Sequence, residues 1–368
     1  MKFLTEKSQI VEALQLGASI AERRQTIPIL ANLRIVARSK EVEITATDLE
    51  IQIKTITEVN AVEEEGEITV SARKMSELCR SLPEKETLEF NLKNGKLTVS
   101  SKNFHADFAT ISSDDFPELD AEKTTETISI TSLTLQRLLS KTSFCMASQD
   151  VRYYLNGLLI EYEDSKVNAV ATDGHRLALA TKNIKTENKS NGLRLILPRK
   201  AVLELTKILG QNDNEIKLSF GEASIRLEDK NLDFTSKLID GKFPDYGKVL
   251  PEGDPSNLLI SKEKLQSALS RASVLSNEKY RGVRFELKSN SLKLTANNPE
   301  QETAEEILEV NYKGLSLEIG FNIGYLLDVL SVIESEEVQI SFYGEEASCL
   351  IQEPGNDSEK FVIMPMRL

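Results

Sequence analysis

Ala46-Thr47-Asp48, Ala171-Thr172-Asp173 and, more loosely, Ala296-Asn297-Asn298 stand 125 residues apart along a chain of 368. The same step separates Leu33-Arg34-Ile35, Leu158-Leu159-Ile160 and Val283-Arg284-Phe285, each an apolar-rich run about a dozen residues before its marker. Apolar pairs at helical spacing agree: Ile10 and Leu14, Leu135 and Leu139, Leu265 and Leu269, at steps of 125 and 130. A period of roughly 20–50 residues would signal a solenoid whose units cannot fold alone. A period near 125 is the length of a whole domain. The chain reads as three copies of one domain, and its function has to follow from that multiplication.

Each copy is strand-rich with two helices. Val42-Glu43-Ile44-Thr45 and Ile51-Gln52-Ile53-Lys54 alternate at period two, as half-buried strands do, and Asn94-Gly95 marks a tight hairpin. Helices are expected over 3–24, 71–81, 132–141, 198–208, 261–271 and 322–333. Each domain is then two βαβββ halves, an α+β fold. Charge and Pro/Gly interrupt the pattern at 120–126 and at Pro251-Glu252-Gly253-Asp254-Pro255, which sets domains at 1–124, 125–253 and 254–368.

With 40% apolar and 28% charged residues the composition is that of a globular protein with room for two or three cores. No stretch approaches the apolar length of a membrane span, and Met1-Lys2-Phe3-Leu4-Thr5-Glu6-Lys7 does not resemble a signal peptide. Cys79, Cys145 and Cys349 are odd in number and far apart, which suits buried free thiols in a reducing cytoplasm. A net charge of −13 speaks against nucleic acid, yet it hides an asymmetry. The six helical segments together carry +7 and the remainder −20. Arg73, Lys74 and Arg80, then Arg137 and Lys141, then Arg199, Lys200 and Lys207, then Lys262, Lys264 and Arg271 gather at helical spacings. One basic helix face is ordinary solvated surface. Four in equivalent repeats point to a track for a phosphate backbone read without regard to sequence. These helices hold almost no aromatic residues, so base stacking is not expected.

Catalysis has little support. The sequence has no GxGxxG opening a helix, no GxxxxGK[ST], no GxSxG and no metal-ligand spacing. His175 follows Thr172-Asp173-Gly174, but the only other histidine, His105, sits beside Phe104 in a strand pattern. A structural histidine is the expectation, with no catalytic residue, metal or cofactor. A repeat scaffold that binds only proteins is the rival reading, and it predicts no charge bias on the helices.

Several stretches resemble one family: Thr26-Ile27-Pro28-Ile29-Leu30-Ala31-Asn32, Gln149-Asp150-Val151-Arg152-Tyr153-Tyr154-Leu155-Asn156-Gly157, Ala171-Thr172-Asp173-Gly174-His175-Arg176-Leu177, Phe243-Pro244-Asp245-Tyr246, Ser276-Asn277-Glu278-Lys279 and the terminal Met364-Pro365-Met366-Arg367-Leu368. In this order, and over the whole chain, they are similar to the bacterial DNA polymerase III beta subunit, the replicative sliding clamp. The resemblance implies a ring-shaped head-to-tail homodimer around double-stranded DNA, with helices inside and sheets outside, its subunit contact near Val274 and Leu275. It implies partners in the polymerase alpha subunit, the clamp loader and other clamp-binding polymerases and repair proteins. Their peptides would dock at Leu155, Thr172, Gly174, His175, Arg176, Leu177, Pro244, Val249, Val362, Met364, Pro365 and Met366. DNA contacts carried over are Arg24, Gln149, Tyr153 and Tyr154, with Arg73, Lys74, Arg80, Arg137, Arg199 and Lys200 as backbone-tracking candidates. Many members carry Arg after Asp-Tyr; this chain has Gly247-Lys248, a point charge in place of a planar guanidinium at the pocket rim.

Overall fold

The 125-residue step survives as strand geometry. In the computed structural model, which describes residues 1–21, 27–119, 123–184, 192–210 and 213–367, the second strand of each copy begins at Asn32, Gly157 and Gly282, and the third at Glu41, Lys166 and Ser291. The first copy runs β1 (Lys2–Glu6), α1 (Lys7–Ile20), β2 (Asn32–Arg38), β3 (Glu41–Thr47), β4 (Ile51–Glu58), β5 (Ala61–Glu64), β6 (Gly66–Ser71), α2 (Ala72–Ser81), β7 (Thr87–Lys93), β8 (Lys96–Ser101) and β9 (Phe104–Ile111). The second runs β10 (Glu126–Thr131), α3 (Ser132–Thr142), β11 (Gly157–Glu163), β12 (Lys166–Thr172), β13 (Arg176–Asn183), β14 (Leu193–Pro198), α4 (Arg199–Ile208), β15 (Glu215–Phe220), β16 (Ser224–Asp229) and β17 (Leu232–Lys237). The third runs β18 (Ser256–Ser261), α5 (Lys262–Ser273), β19 (Gly282–Lys288), β20 (Ser291–Asn297), β21 (Thr303–Glu309), β22 (Asn311–Tyr312), β23 (Leu317–Asn322), α6 (Ile323–Val332), β24 (Glu337–Phe342), β25 (Cys349–Gln352) and β26 (Glu359–Ile363).

Six α-helices are therefore present among the described residues, one near each expected segment, and every copy is two βαβββ halves. The first helix differs from expectation. Residues 2–6 form a strand, alternately half-buried and buried, and α1 starts only at Lys7, where Glu6 and Gln9 close a capping box. Asn94 and Gly95 both take positive φ, 51° and 71°, the two-residue turn the sequence asked for.

Within the first copy the halves exchange strands: β6 joins β2, β3 and β4, while β1 joins β7, β8 and β9, and the two runs meet where β6 pairs with β9. Between copies the sheets continue. β17 pairs with β4 (Thr235 opposite Gln52), and β26 pairs with β13 (Val362 opposite Leu177). Every described pairing is antiparallel, which the short β-hairpins allow. The chain accordingly groups into two compact units: Met1–Leu133 with Leu203–Leu238, and Thr134–Val202 with Ile239–Leu368. The first unit holds a 13-stranded sheet; the second holds a nine-stranded and a four-stranded sheet.

Helices pack on the sheets through alanine, leucine and isoleucine, with close approach where the chain permits it. A Cβ on Gly17 would lie 2.5 Å from Leu33 Cδ2, so α1 can sit this near β2 only with glycine there. The copies also share a tie between their two helices. Lys7 Nζ, at the start of α1, donates to the carbonyl of Leu82 at the end of α2 (2.6 Å), and Lys262 Nζ, at the start of α5, donates to Ile333 O at the end of α6 (2.8 Å). Each places a cation on the negative end of a helix. The described residues contain no helix long and apolar enough to cross a membrane. The three cysteines are buried and free.

Candidate docking groove and nucleic-acid face

Because the strand starts and pairings recur in register from copy to copy, one face of the sheet can be read three times. At the position of Arg34 in β2 stand Leu159 in β11 and Arg284 in β19; across from them, Thr45, Val170 and Thr295. The neighbouring positions read Lys54, Leu179 and Glu305, and Gln52, Leu177 and Thr303. The face is polar in the first and third copies and apolar only in the second; in the first, Thr45 and Gln52 are buried, and Gln52 accepts from Leu119 N (2.9 Å). The strands that adjoin it from the third copy have changed in the same sense, with Leu350 and Val362 where the second copy has Arg226 and Thr235. Two apolar patches thus meet at the β13–β26 seam. They form one cluster of Leu159, Val170, Leu177, Leu179, Ile196, Leu350 and Val362 with Phe243.

Tyr154, Ile239, Tyr246, Val249, Leu250 and Tyr343 pack over that cluster and leave Leu177 and Val362 fully buried. Phe243 is the buried end of the Phe243-Pro244-Asp245-Tyr246 segment, and Tyr246 anchors the other end through its hydroxyl on Glu161, which also accepts from Asn168 (3.1 Å) and pairs with Arg194 (3.2 Å). Burial and the Glu161 carboxylate push the Tyr246 phenol well above its usual pKa, so it remains a donor. The segment is stapled at both ends, and Pro244 between them is exposed. Accessible apolar surface lies at the rim, on Pro244, Val249 and Met364, the last 38% exposed.

Most of the other residues expected at the docking site gather around one turn, before β13. Asp173 Oδ1 accepts from the backbone of His175 (2.9 Å) and Arg176 (3.0 Å), which fixes the turn into β13. Gly174 is at φ +90°, and a Cβ there would lie 2.9 Å from the Arg152 guanidinium, so that position requires glycine. Thr172 Oγ1 donates to Arg176 O (2.6 Å). The Arg176 guanidinium is largely buried. It binds Asp173 (2.9 Å), Asp328 (2.6 Å) and the Phe144 carbonyl (2.8 Å) and stacks over Tyr325 at 4.4 Å. It ties β13 to α6. Met364 N donates to His175 O (2.9 Å) and Met366 N to Gly320 O (2.8 Å), which place Pro365 between them beside the same turn. Leu155 is buried; His175 is exposed, and Lys248 pairs with Asp245 (3.4 Å). Leu368 lies outside the described residues.

The basic set is more occupied than its count suggested. Arg73, Lys74 and Arg80 are exposed on α2, with Arg73 3.6 Å from Glu77. Arg199 donates to Met146 O (3.0 Å), while Lys200 is exposed. Arg137 is half-buried and pairs with Glu359 (3.1 Å) and Glu334 (3.1 Å). Its helix neighbour Lys141 is buried against Glu359, Glu334 and Glu353. Both cations of α3 therefore neutralise acids of the third copy. Gln149 takes φ +58° in an exposed loop with Val151 and Tyr153, and Tyr153 stacks edge-on against Tyr154 (5.8 Å). Arg24 lies outside the described residues. Val274, just past α5, is 78% exposed, and Leu275 is half-buried. No group of metal-binding residues occurs among the described residues.

Three family models match the chain in succession: the N-terminal domain of the DNA polymerase III beta subunit over residues 1–120, the central domain over 129–245 and the C-terminal domain over 247–367. The beta sliding clamp of Pseudomonas putida is 42% identical over 368 residues, and that of Escherichia coli K12 is 41% identical, each covering all of both chains. The crystal structure of the DNA polymerase III subunit beta from Pseudomonas aeruginosa, 42% identical and covering all of both chains, superimposes with a TM-score of 0.96. The DNA polymerase sliding clamp from Bacillus subtilis does so at 0.93 with 29% identity, over all of this chain and 99% of that one. The chain belongs to the DNA polymerase III beta subunit family, the bacterial sliding clamps. It is a processivity factor of DNA replication built of three clamp domains, and not an enzyme.

Proposed function

We propose that two chains close head to tail into a ring around duplex DNA, and that the β13–β26 groove is where polymerases and other partners dock. One observation carries the ring. The seam that joins the first copy to the second, β4 with β17, is repeated between the second and third by β13 with β26. The third copy's counterpart of β4 and β13 is β21, which among the described residues pairs on one side only, with β20. The first copy's counterpart of β17 and β26 is β9, which pairs with β8 along its length and with β6 only at residues 110–111. A third seam between β21 of one chain and β9 of another uses both edges and repeats to closure. Carrying over the register of the other two seams sets Thr303 opposite Asp107 and Glu305 opposite His105. Val274 and Leu275 are assigned to the same contact.

On this reading the domains run 1–124, 125–253 and 254–368. Lys74, Arg80, Arg73, Arg199 and Lys200 track the backbone of DNA, with Arg24, Gln149, Tyr153 and Tyr154 meeting it at one face. Arg137 is removed from that set by its two glutamates. The few exposed cations suit a ring held by topology rather than affinity, since static binding grows with the number of phosphates neutralised. The polymerase alpha subunit, the clamp loader and other clamp-binding polymerases and repair proteins are the proposed occupants of the groove, and the cytoplasm is the compartment. Retention on nicked circular DNA after loading tests the ring: residence should fall sharply when the circle is cut, and equal residence on linear DNA would overturn it.

A further inference from the structure

The two joints within the chain share one backbone plan on their helix side, but only one of them is filled. At the second joint Lys141 on α3 is buried, donates to Val332 O at the end of α6 and lies 3.1 Å from Glu359 and 3.7 Å from Glu353. Arg137, one turn earlier, reaches Glu359 at 3.1 Å. The strand registers and helix starts fix the counterparts at the first joint. Lys141 corresponds to Leu16, Arg137 to Glu12, Leu138 to Ala13, Glu359 to Leu232, Glu353 to Asp229 and Val332 to Ile208. Both cations are gone, one replaced by an acid. In their place is a cavity of about 500 Å³, within the range of small-ligand sites.

Its wall is amphipathic. Ala13, Leu16, Ile208, Leu209, Leu227 and Leu232 supply apolar surface, while Glu12 and Asp229 add two carboxylates. Asp229 is held in place by Asn214 (2.6 Å) and the Lys230 amide (2.6 Å). The α4 C-terminus at Ile208 lends the negative end of its dipole. Among the described residues that line it the one cation is Lys230, exposed at the hairpin tip. What fits such a wall is shown by the other joint, where an aliphatic stem with a cationic head fills the equivalent space.

We propose that the first joint is a binding site for a small alkylguanidinium or alkylammonium ion, its head between Glu12 and Asp229 and its stem on Ala13, Leu16 and Leu227. The occupant is a free small molecule, because at the other joint a single buried side chain, Lys141, fills the equivalent space.

The probe is n-butylguanidinium, titrated into the full-length protein and followed by amide NMR, with guanidinium and n-butanol as controls. Saturable shifts confined to the cavity wall are expected for butylguanidinium alone. Glu12→Gln with Asp229→Asn should weaken binding about tenfold or more, as loss of two charged partners implies. Leu16→Lys should abolish it by supplying the missing internal cation. Ala13→Leu, which copies Leu138, should do the same by volume should the lysine variant not fold. Lys230→Met should tighten it. No saturable wall shifts, or equal binding to both filled variants, would overturn the proposal. So would an arginine-bearing peptide that binds there when butylguanidinium does not, since the cavity would then belong to a partner protein.

Discussion

Lys141 Nζ sits 3.1 Å from Glu359 Oε2, with 3% and 2% of the two side chains exposed. A buried pair of this kind contributes little net stability as a pair, because desolvation offsets the attraction, but removing one partner strands a charge. Glu359→Gln should destabilise the protein by about 3 kcal/mol, the low end for such a loss because Glu334 and Glu353 remain near Lys141. Lys141→Leu with Glu359→Leu, which copies Leu16 and Leu232 of the first joint, should recover most of that. Urea denaturation of the three proteins checks it; a double variant no better than the single one would contradict the desolvation account.

Deleting residues 364–368 should abolish docking of a clamp-binding peptide while the dimer persists. The truncation removes Met364 at the groove rim and the two backbone bonds that hold the tail to His175 and Gly320. A buried Met side chain contributes roughly 1.5–3 kcal/mol, and a micromolar peptide has only about 8 kcal/mol in total. Fluorescence anisotropy with a labelled polymerase tail peptide, beside a mass measurement, decides between loss of docking and loss of the ring.

The proposed third seam can be trapped covalently. Cysteines at Thr303 and Asp107 should cross-link two chains under mild oxidation, since directly opposed Cβ atoms in an antiparallel pair are about 4.5–5.5 Å apart. Cysteines at Thr303 and Lys96 should not. Replacing Val274 and Leu275 together by serine should give folded monomers, read by sedimentation, because burying such a pair on two symmetric contacts contributes about 3–6 kcal/mol.

Burial pushes the Cys79 and Cys349 thiols up to about 12 and raises that of Cys145 as well. A raised folded-state value means the folded protein keeps protons that the unfolded chain releases above about 8.5. The thiols' contribution to stability is therefore complete below that pH and declines as pH rises toward 12. Native protein at pH 8 should show no fast-reacting thiol with a disulfide reagent, against three after unfolding.

Much of this was legible in the sequence because a repeat is a comparison of the chain with itself. Steps of 125 located the second and third strands of every copy, and the helix segments fell within a few residues of α2 to α6. The start of α1 was misread because a five-residue strand running straight into a helix leaves too few residues to separate period two from period 3.6. Arg137 looked like surface charge because its partners, Glu334 and Glu359, are about 200 residues away in sequence. The groove was within reach without any relative. Arg34, Leu159 and Arg284 occupy one position in three copies, and the odd residue marks the face that is not meant for water.

The seams have a consequence for how the molecule comes apart. The middle copy has lent one sheet to each neighbour, so its two halves fall in different compact units, parted near residues 133 and 202. Hydrogen exchange should find protection shared across β4 and β17 and across β13 and β26, and a stability step inside the middle copy. A gene cut between repeats would release fragments with raw strand edges; the indivisible piece of this protein is the joint.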